Sequence, residues 1–250
     1  MRLCVSVPCF FGNMNFTDAI RSVKACGYDA VETWGWEGLD LKETRRVLDD
    51  CGVEMLDMCT SEFDMTDPAK RVIYLDGLKK SCEAAQVLGV KKLITQVGPD
   101  TGAARVMQHE AIVETLRQAA PILKAADVQL MVEPLNSYVD HKGYYLTSSL
   151  EGAEIIREVN DPQVKMVYDI YHMQIMEGNI IPNLTVELDT IVHLHAAGNP
   201  GRHEPWLGET DYKNVMAAAE KAGYKGMLGL EYIPVMDPME SLKECRRIYG

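Results

Sequence analysis

The sequence predicts a single (β/α)8 barrel over residues 1–250, and three observations predict it. Eight short β-rich runs recur along the chain, each preceded by a small or turn-forming residue and followed by a polar turn and a helical pattern. The length of 250 residues suits one such barrel. No G-x-G-x-x-G and no Walker A loop follows the first run, so the main sign of a doubly wound sheet, and with it a nucleotide cofactor, is missing. No linker, low-complexity tract or charge block marks a domain boundary.

The elements follow in order. RLCVSV (2–7) leads into a helix patterned on Phe16, Ile20 and Val23 that closes at Gly27. YDAVETW (28–34) is followed by a helix with Asp40 and Glu43 in capping-box spacing, an apolar face of Leu41, Val47, Leu48 and Cys51, and Gly52 at its end. VEMLDMC (53–59) precedes a helix that stops at Gly89, and VKKLITQV (90–97) opens the fourth unit. After DVQLMVEP (127–134) the next helix starts at Ser148 with Glu151 three residues on. QVKMVYDI (163–170) is the sixth run, and TIVHLHAA (190–197) the seventh, its helix ending at Gly223. YKGMLGLEY (224–232) precedes a helix marked by Asp237 and Pro238. The acids and the serine offer oxygens to the unpaired first-turn N–H groups, and the glycines take the left-handed turn that ends a helix.

With 47% hydrophobic and 25% charged residues, the chain is a folded globule with ample core. A net charge of -12 opposes a nucleic-acid groove or an anionic membrane surface as partner. No stretch approaches a membrane span and the first residues carry no signal-peptide pattern, so a cytoplasmic protein is expected. The seven cysteines have no C-x-x-C spacing and read as reduced, mostly buried apolar residues.

Barrel chemistry sits at the carboxyl ends of the strands. Four consecutive runs end there on a metal-ligand side chain: Glu133, Asp169, His195 and Glu231, each about one strand–helix unit from the next. Three carboxylates crowded together repel one another and demand a compensating cation. A mostly oxygen donor set favours Mn²⁺ or Mg²⁺, with Co²⁺ or Zn²⁺ as lesser candidates.

Around these four, His172 and Arg202 are candidate substrate ligands, the arginine as an anion clamp in the loop NPGRHEPWLGE. Glu32 and Trp34, with Trp36, are expected to wall the mouth. His193, two residues before His195 on the same face, is expected deeper in the barrel as a hydrogen-bonded core residue.

At EPLN, YDIYHMQIMEG, HLHAAGNPGRHEPWLGE and GLEY the chain resembles the hydroxypyruvate isomerase family, within the xylose isomerase-like barrels that also include ketose 3-epimerases. The resemblance implies that Glu133, Asp169, His195 and Glu231 bind a divalent metal and that Glu133 and Glu231 exchange the substrate proton. It implies a metal-dependent isomerase, hydroxypyruvate to tartronate semialdehyde, working through an enediolate. The alternatives are 3-epimerisation of a free ketose and a non-catalytic metabolite-binding barrel. Some hydroxypyruvate isomerases carry glutamine at the His195 position, where the epimerases carry histidine, and the passage after the third run is short, as in the epimerases. The expected partners are a small hydroxy-carbonyl or sugar substrate and further copies of the chain, as a dimer or tetramer. A DNA-cutting relative is disfavoured, since no histidine precedes His109.

Overall fold

The computed structural model describes residues 1–250. Eight parallel strands form a closed barrel in chain order: β1 (Leu3–Ser6), β2 (Ala30–Thr33), β3 (Glu54–Cys59), β4 (Lys92–Thr95), β5 (Gln129–Val132), β6 (Val164–Asp169), β7 (Ile191–Ala196) and β8 (Leu228–Leu230). The seam between the chain's two ends is a parallel pairing of Leu3 with Leu228 and Val5 with Leu230.

Ten helices surround the barrel: α1 (Val7–Phe11), α2 (Phe16–Ala25), α3 (Leu41–Cys51), α4 (Arg71–Leu88), α5 (Arg105–Ala126), α6 (Ser149–Val159), α7 (Ile170–Met176), α8 (Ile180–Val186), α9 (Tyr212–Ala222) and α10 (Pro238–Tyr249). The expected caps form. Asp40 accepts the Glu43 N–H, Ser148 that of Glu151, and Asp237 those of Met239 and Glu240. Gly52, Gly89 and Gly223 close their helices in the left-handed conformation. Asp127 and Asn160 do the same without glycine, because their short polar side chains tolerate that region. The one-helix-per-strand pattern has two departures: β1 runs straight into the extra helix α1, and β6 is followed by two short helices, α7 and α8.

The main core lies between helices and strands, as outward strand residues such as Val5, Val31, Leu93 and Leu130 meet Ile20, Leu48, Leu78 and Leu116 from the helices. Alternate residues point into the barrel. There only two small apolar groups form: Cys4, Ala30 and Met227, and Cys59, Ile94, Met131 and Val167. The remaining interior is polar, which reserves it for chemistry rather than for cohesion.

All seven cysteines are unpaired, six of them buried. No helix is long and apolar enough to cross a membrane.

Candidate active site

Glu133 and Glu231 stand one residue beyond the last ladder positions of β5 and β8. Each is still pinned by its backbone, the Glu133 N–H donating to Thr95 O at 3.0 Å and that of Glu231 to Ala196 O at 3.1 Å. Asp169 ends β6 and His195 is the penultimate residue of β7. The four side chains therefore emerge from neighbouring strands at one mouth of the barrel, where one ligating atom from each lies within 4.8 Å of all the others. None is more than 7% exposed. The expected convergence is what the structure shows.

His195 Nδ1 faces the three carboxylates, 3.2 Å from Glu133 Oε1, 3.6 Å from Glu231 Oε2 and 3.8 Å from Asp169 Oδ2. Burial raises the Asp169 carboxyl above its usual range. Burial pushes Glu231 the same way, but His195 and Arg202 outweigh it and hold that carboxyl down at about 2. Burial works against a charged imidazole, yet Glu32, Glu231 and Glu133 together keep His195 well above the ordinary value. Three carboxylates and an imidazole, buried and convergent, form a donor set that suits an oxygen-preferring dication. The residues fit such an ion.

Each of the three carboxylates has a second contact that orients it. Asp169 Oδ1 accepts the His172 N–H at 3.0 Å and so caps α7, leaving Oδ2 for the site. Gln96 Nε2 donates to Glu133 Oε2 at 3.3 Å. The Tyr144 hydroxyl donates to the Glu133 carbonyl at 2.9 Å and accepts the Val97 N–H at 2.8 Å, tying the ends of β4 and β5 together. Both oxygens of Glu231 are engaged, Oε1 by Trp34 Nε1 and Oε2 by Arg202 Nη2, each at 2.6 Å.

A cavity of about 670 Å³ opens above these groups and is lined also by His172, Arg202, Glu32 and Trp34. Trp34 is half exposed at the rim. Trp36 instead donates to Ser81 Oγ, and Trp206 packs edge-on against Tyr232. Arg202 occupies a left-handed backbone position and lies over the Tyr171 ring. His172 is buried rather than solvated. Burial and the neighbouring Arg202 lower its pKa to about 3. Its Nδ1 accepts the Asn136 N–H at 3.2 Å, so the ring proton sits on Nε2, an atom without a hydrogen-bond partner at the cavity wall.

Glu32 lies at the cavity floor, not at the rim, in contact with His193, which is the buried core histidine expected. Burial holds Glu32 and its neighbour Asp57 at about 7 and lowers His193 to about 3. Sequence reasoning missed Asp57, Gln96 and Tyr144. For Gln96 a signal existed, because it follows β4 at the position matching Glu133 after β5.

Residues 20–247 match the family model described as xylose isomerase-like TIM barrel. Hydroxypyruvate isomerase of Escherichia coli strain K12 is 32% identical over 243 residues, 94% of each chain. The chain belongs to the hydroxypyruvate isomerase family. Family kinship makes it an enzyme of the isomerase class, epimerases included. A further relative, 2-oxo-tetronate isomerase of Cupriavidus necator, is 28% identical over 93% of each chain. Among solved structures, a Brucella melitensis protein described as an AP endonuclease, family 2, superposes with a TM-score of 0.92 at 25% identity over 96% of each chain. In the present chain the early strands and the loop after β3 bring Glu32, Asp57, Glu62 and Asp64 to the cavity, which Lys142 also lines.

Proposed function

We propose that the chain is a metal-dependent isomerase of a small α-hydroxy-carbonyl acid, interconverting hydroxypyruvate and tartronate semialdehyde. The observation that carries this reading is the convergence of Glu133, Asp169, His195 and Glu231 within 4.8 Å at the mouth of the cavity. Those four would hold Mn²⁺ or Mg²⁺, which when bound neutralises the carboxylates and stabilises negative charge developing on the substrate oxygens.

Glu133 and Glu231 come from strands three apart and move the proton: one takes it from the hydroxyl-bearing carbon, the other returns one to the adjacent carbonyl carbon, while the hydroxyl proton passes to the former carbonyl oxygen. His172 Nε2–H donates to a substrate oxygen, from a ring whose burial keeps it neutral. Arg202 binds the substrate carboxylate, and Trp34 covers the opening. A buried floor and a half-exposed indole at the rim limit access of water, which would otherwise quench the reactive intermediate. We read the enzyme as a cytoplasmic homo-oligomer, supported by its seven free cysteines for the compartment and by family resemblance for the assembly.

A second reading, 3-epimerisation of a free ketose, draws support from His195 and from the short passage between β3 and α4. Both reactions begin by removing the same kind of proton. The test is solvent exchange: incubate the Mg²⁺-loaded protein in D₂O with hydroxypyruvate, tartronate semialdehyde, 2-oxo-tetronate and free ketoses, and read deuterium uptake by NMR. Uptake into hydroxypyruvate is expected. Uptake confined to ketoses selects the epimerase, and none in any compound removes both.

A further inference from the structure

Below the four mouth residues lies a second buried cluster of Glu32 on β2, Asp57 on β3 and His193 on β7, none above 3% exposed. His193 Nε2 is 3.1 Å from Glu32 Oε2 and 3.6 Å from Asp57 Oδ2. The two clusters meet at His195. Its Nδ1 faces the carboxylates of the mouth, while Nε2 faces down, 3.5 Å from Glu32 Oε1. Neither Glu32 Oε1 nor His195 Nε2 has a closer hydrogen-bond partner. β8 leaves room for this meeting: a Cβ on Gly229 would stand 2.7 Å from both Glu32 oxygens and from His195 Cδ2.

We propose that Glu32 is the positioning residue for His195, accepting the proton on Nε2 so that Nδ1 presents its lone pair to the dication. This rests on the metal-dependent reading above and deepens it. A neutral imidazole carries one N–H and one lone pair, and the acceptor beside one nitrogen decides which is which. Glu32 is in turn held by His193, so the contact spans three strands, β7 to β2 and back to β7 past the glycine of β8. Without Glu32, His195 either buries an unpaired N–H or moves its proton to Nδ1, where it blocks coordination.

The test strips metal from the full chain, titrates it with Mn²⁺ and follows free Mn²⁺ by EPR. One ion per chain is expected. Glu32→Ala should weaken its binding by about ten- to hundredfold, the usual effect of removing such an outer partner. Glu32→Gln keeps a carbonyl acceptor and should recover most of the affinity. Thermal unfolding in EDTA identifies a merely structural role, which would lower the melting temperature without moving the affinity of folded protein. If the alanine variant does not fold, Glu32→Asp withdraws the carboxylate by one methylene and is expected to weaken binding in the same direction.

Affinity within twofold of wild type in the folded variant overturns the proposal. So does a second Mn²⁺ in the wild type that Glu32→Ala loses, since the lower cluster would then be a cation site itself. A wild-type chain that takes up no Mn²⁺ overturns it outright. Deuterium exchange on the same samples separates the two levels: the expected affinities with no exchange in any substrate would end the isomerase reading and leave this one standing.

Discussion

Arg202 Nη2 lies 2.6 Å from Glu231 Oε2, joining a part-buried guanidinium to a buried carboxylate. A guanidinium this close stabilises the ionised carboxylate and also occupies one of its oxygens. Replacing Glu231 by Gln keeps its shape but removes its basicity, so turnover is expected to fall by about 10²- to 10⁴-fold. Circular dichroism should be unchanged; appreciable residual turnover would remove Glu231 from the proton-transfer role.

Arg202 itself has two expected effects. With Arg202→Met, the KM for a carboxylated substrate rises because its clamp is gone. The second effect is on pH: Arg202 is among the groups that lower the Glu231 pKa, so its loss raises that pKa. The base form is then lost at higher pH, and the acidic limb of the kcat profile moves upward. A limb that stays in place would separate the two residues functionally.

Trp34 donates to the other Glu231 oxygen. A hydrogen bond to a charged group contributes about 1.5–3 kcal/mol. Trp34→Phe keeps the ring at the rim but loses the donor, and kcat is expected to fall about tenfold or more. An unchanged kcat with a raised KM would make the indole a lid only.

On the metal-dependent reading proposed above, a dication entering the site would have to displace protons. His195 and Asp169 both hold them more tightly than usual in the metal-free site. Metal affinity is therefore expected to fall as pH falls, and Mn²⁺ binding to release protons into an unbuffered solution, measurable by pH-stat. A chelator should abolish activity and lower the melting temperature, and Mn²⁺ should restore both. Affinity independent of pH between 5 and 7 would count against these ligands.

His172 supplies a stability prediction with a definite sign. Its folded pKa, about 3, lies below the ordinary imidazole value of 6.5. Between those values the unfolded chain binds the extra proton and the folded chain does not, so this residue's contribution falls as pH falls through the window. The slope from one such group approaches about 1.4 kcal/mol per pH unit. Urea unfolding in EDTA at pH 7, 6 and 5 should show His172→Asn losing less stability on acidification than the wild type. Equal slopes would mean that His172 is hydrated after all.

The barrel was legible because strand runs and helix faces have different periods and because Asp40, Ser148, Asp237 and the glycines punctuate them. The four mouth residues were legible for a related reason, since a ligand-type side chain at the same place in four successive units is a pattern that spacing alone exposes. What lay beneath was not. That Glu32 meets His193 depends on how far the barrel is sheared, and the room for Glu32 at the floor depends on Gly229, which is distant from Glu32 in sequence and meets it only when the barrel closes. The hidden orientation of His172 hangs on one backbone N–H, that of Asn136. Arg202 reaches Glu231 from a left-handed turn residue that is not glycine, which no periodicity announces.

The seam pairing Val5 with Leu230 comes immediately before Glu231. Side chains alternate along a strand, so a slip of one position there would throw that carboxylate out among the helices. A molecule that zipped its first and last strands in the wrong register would keep its mass and much of its helix content and yet lose the convergence of the four mouth residues. Faithful closure of the cylinder is therefore a condition for the site to exist at all.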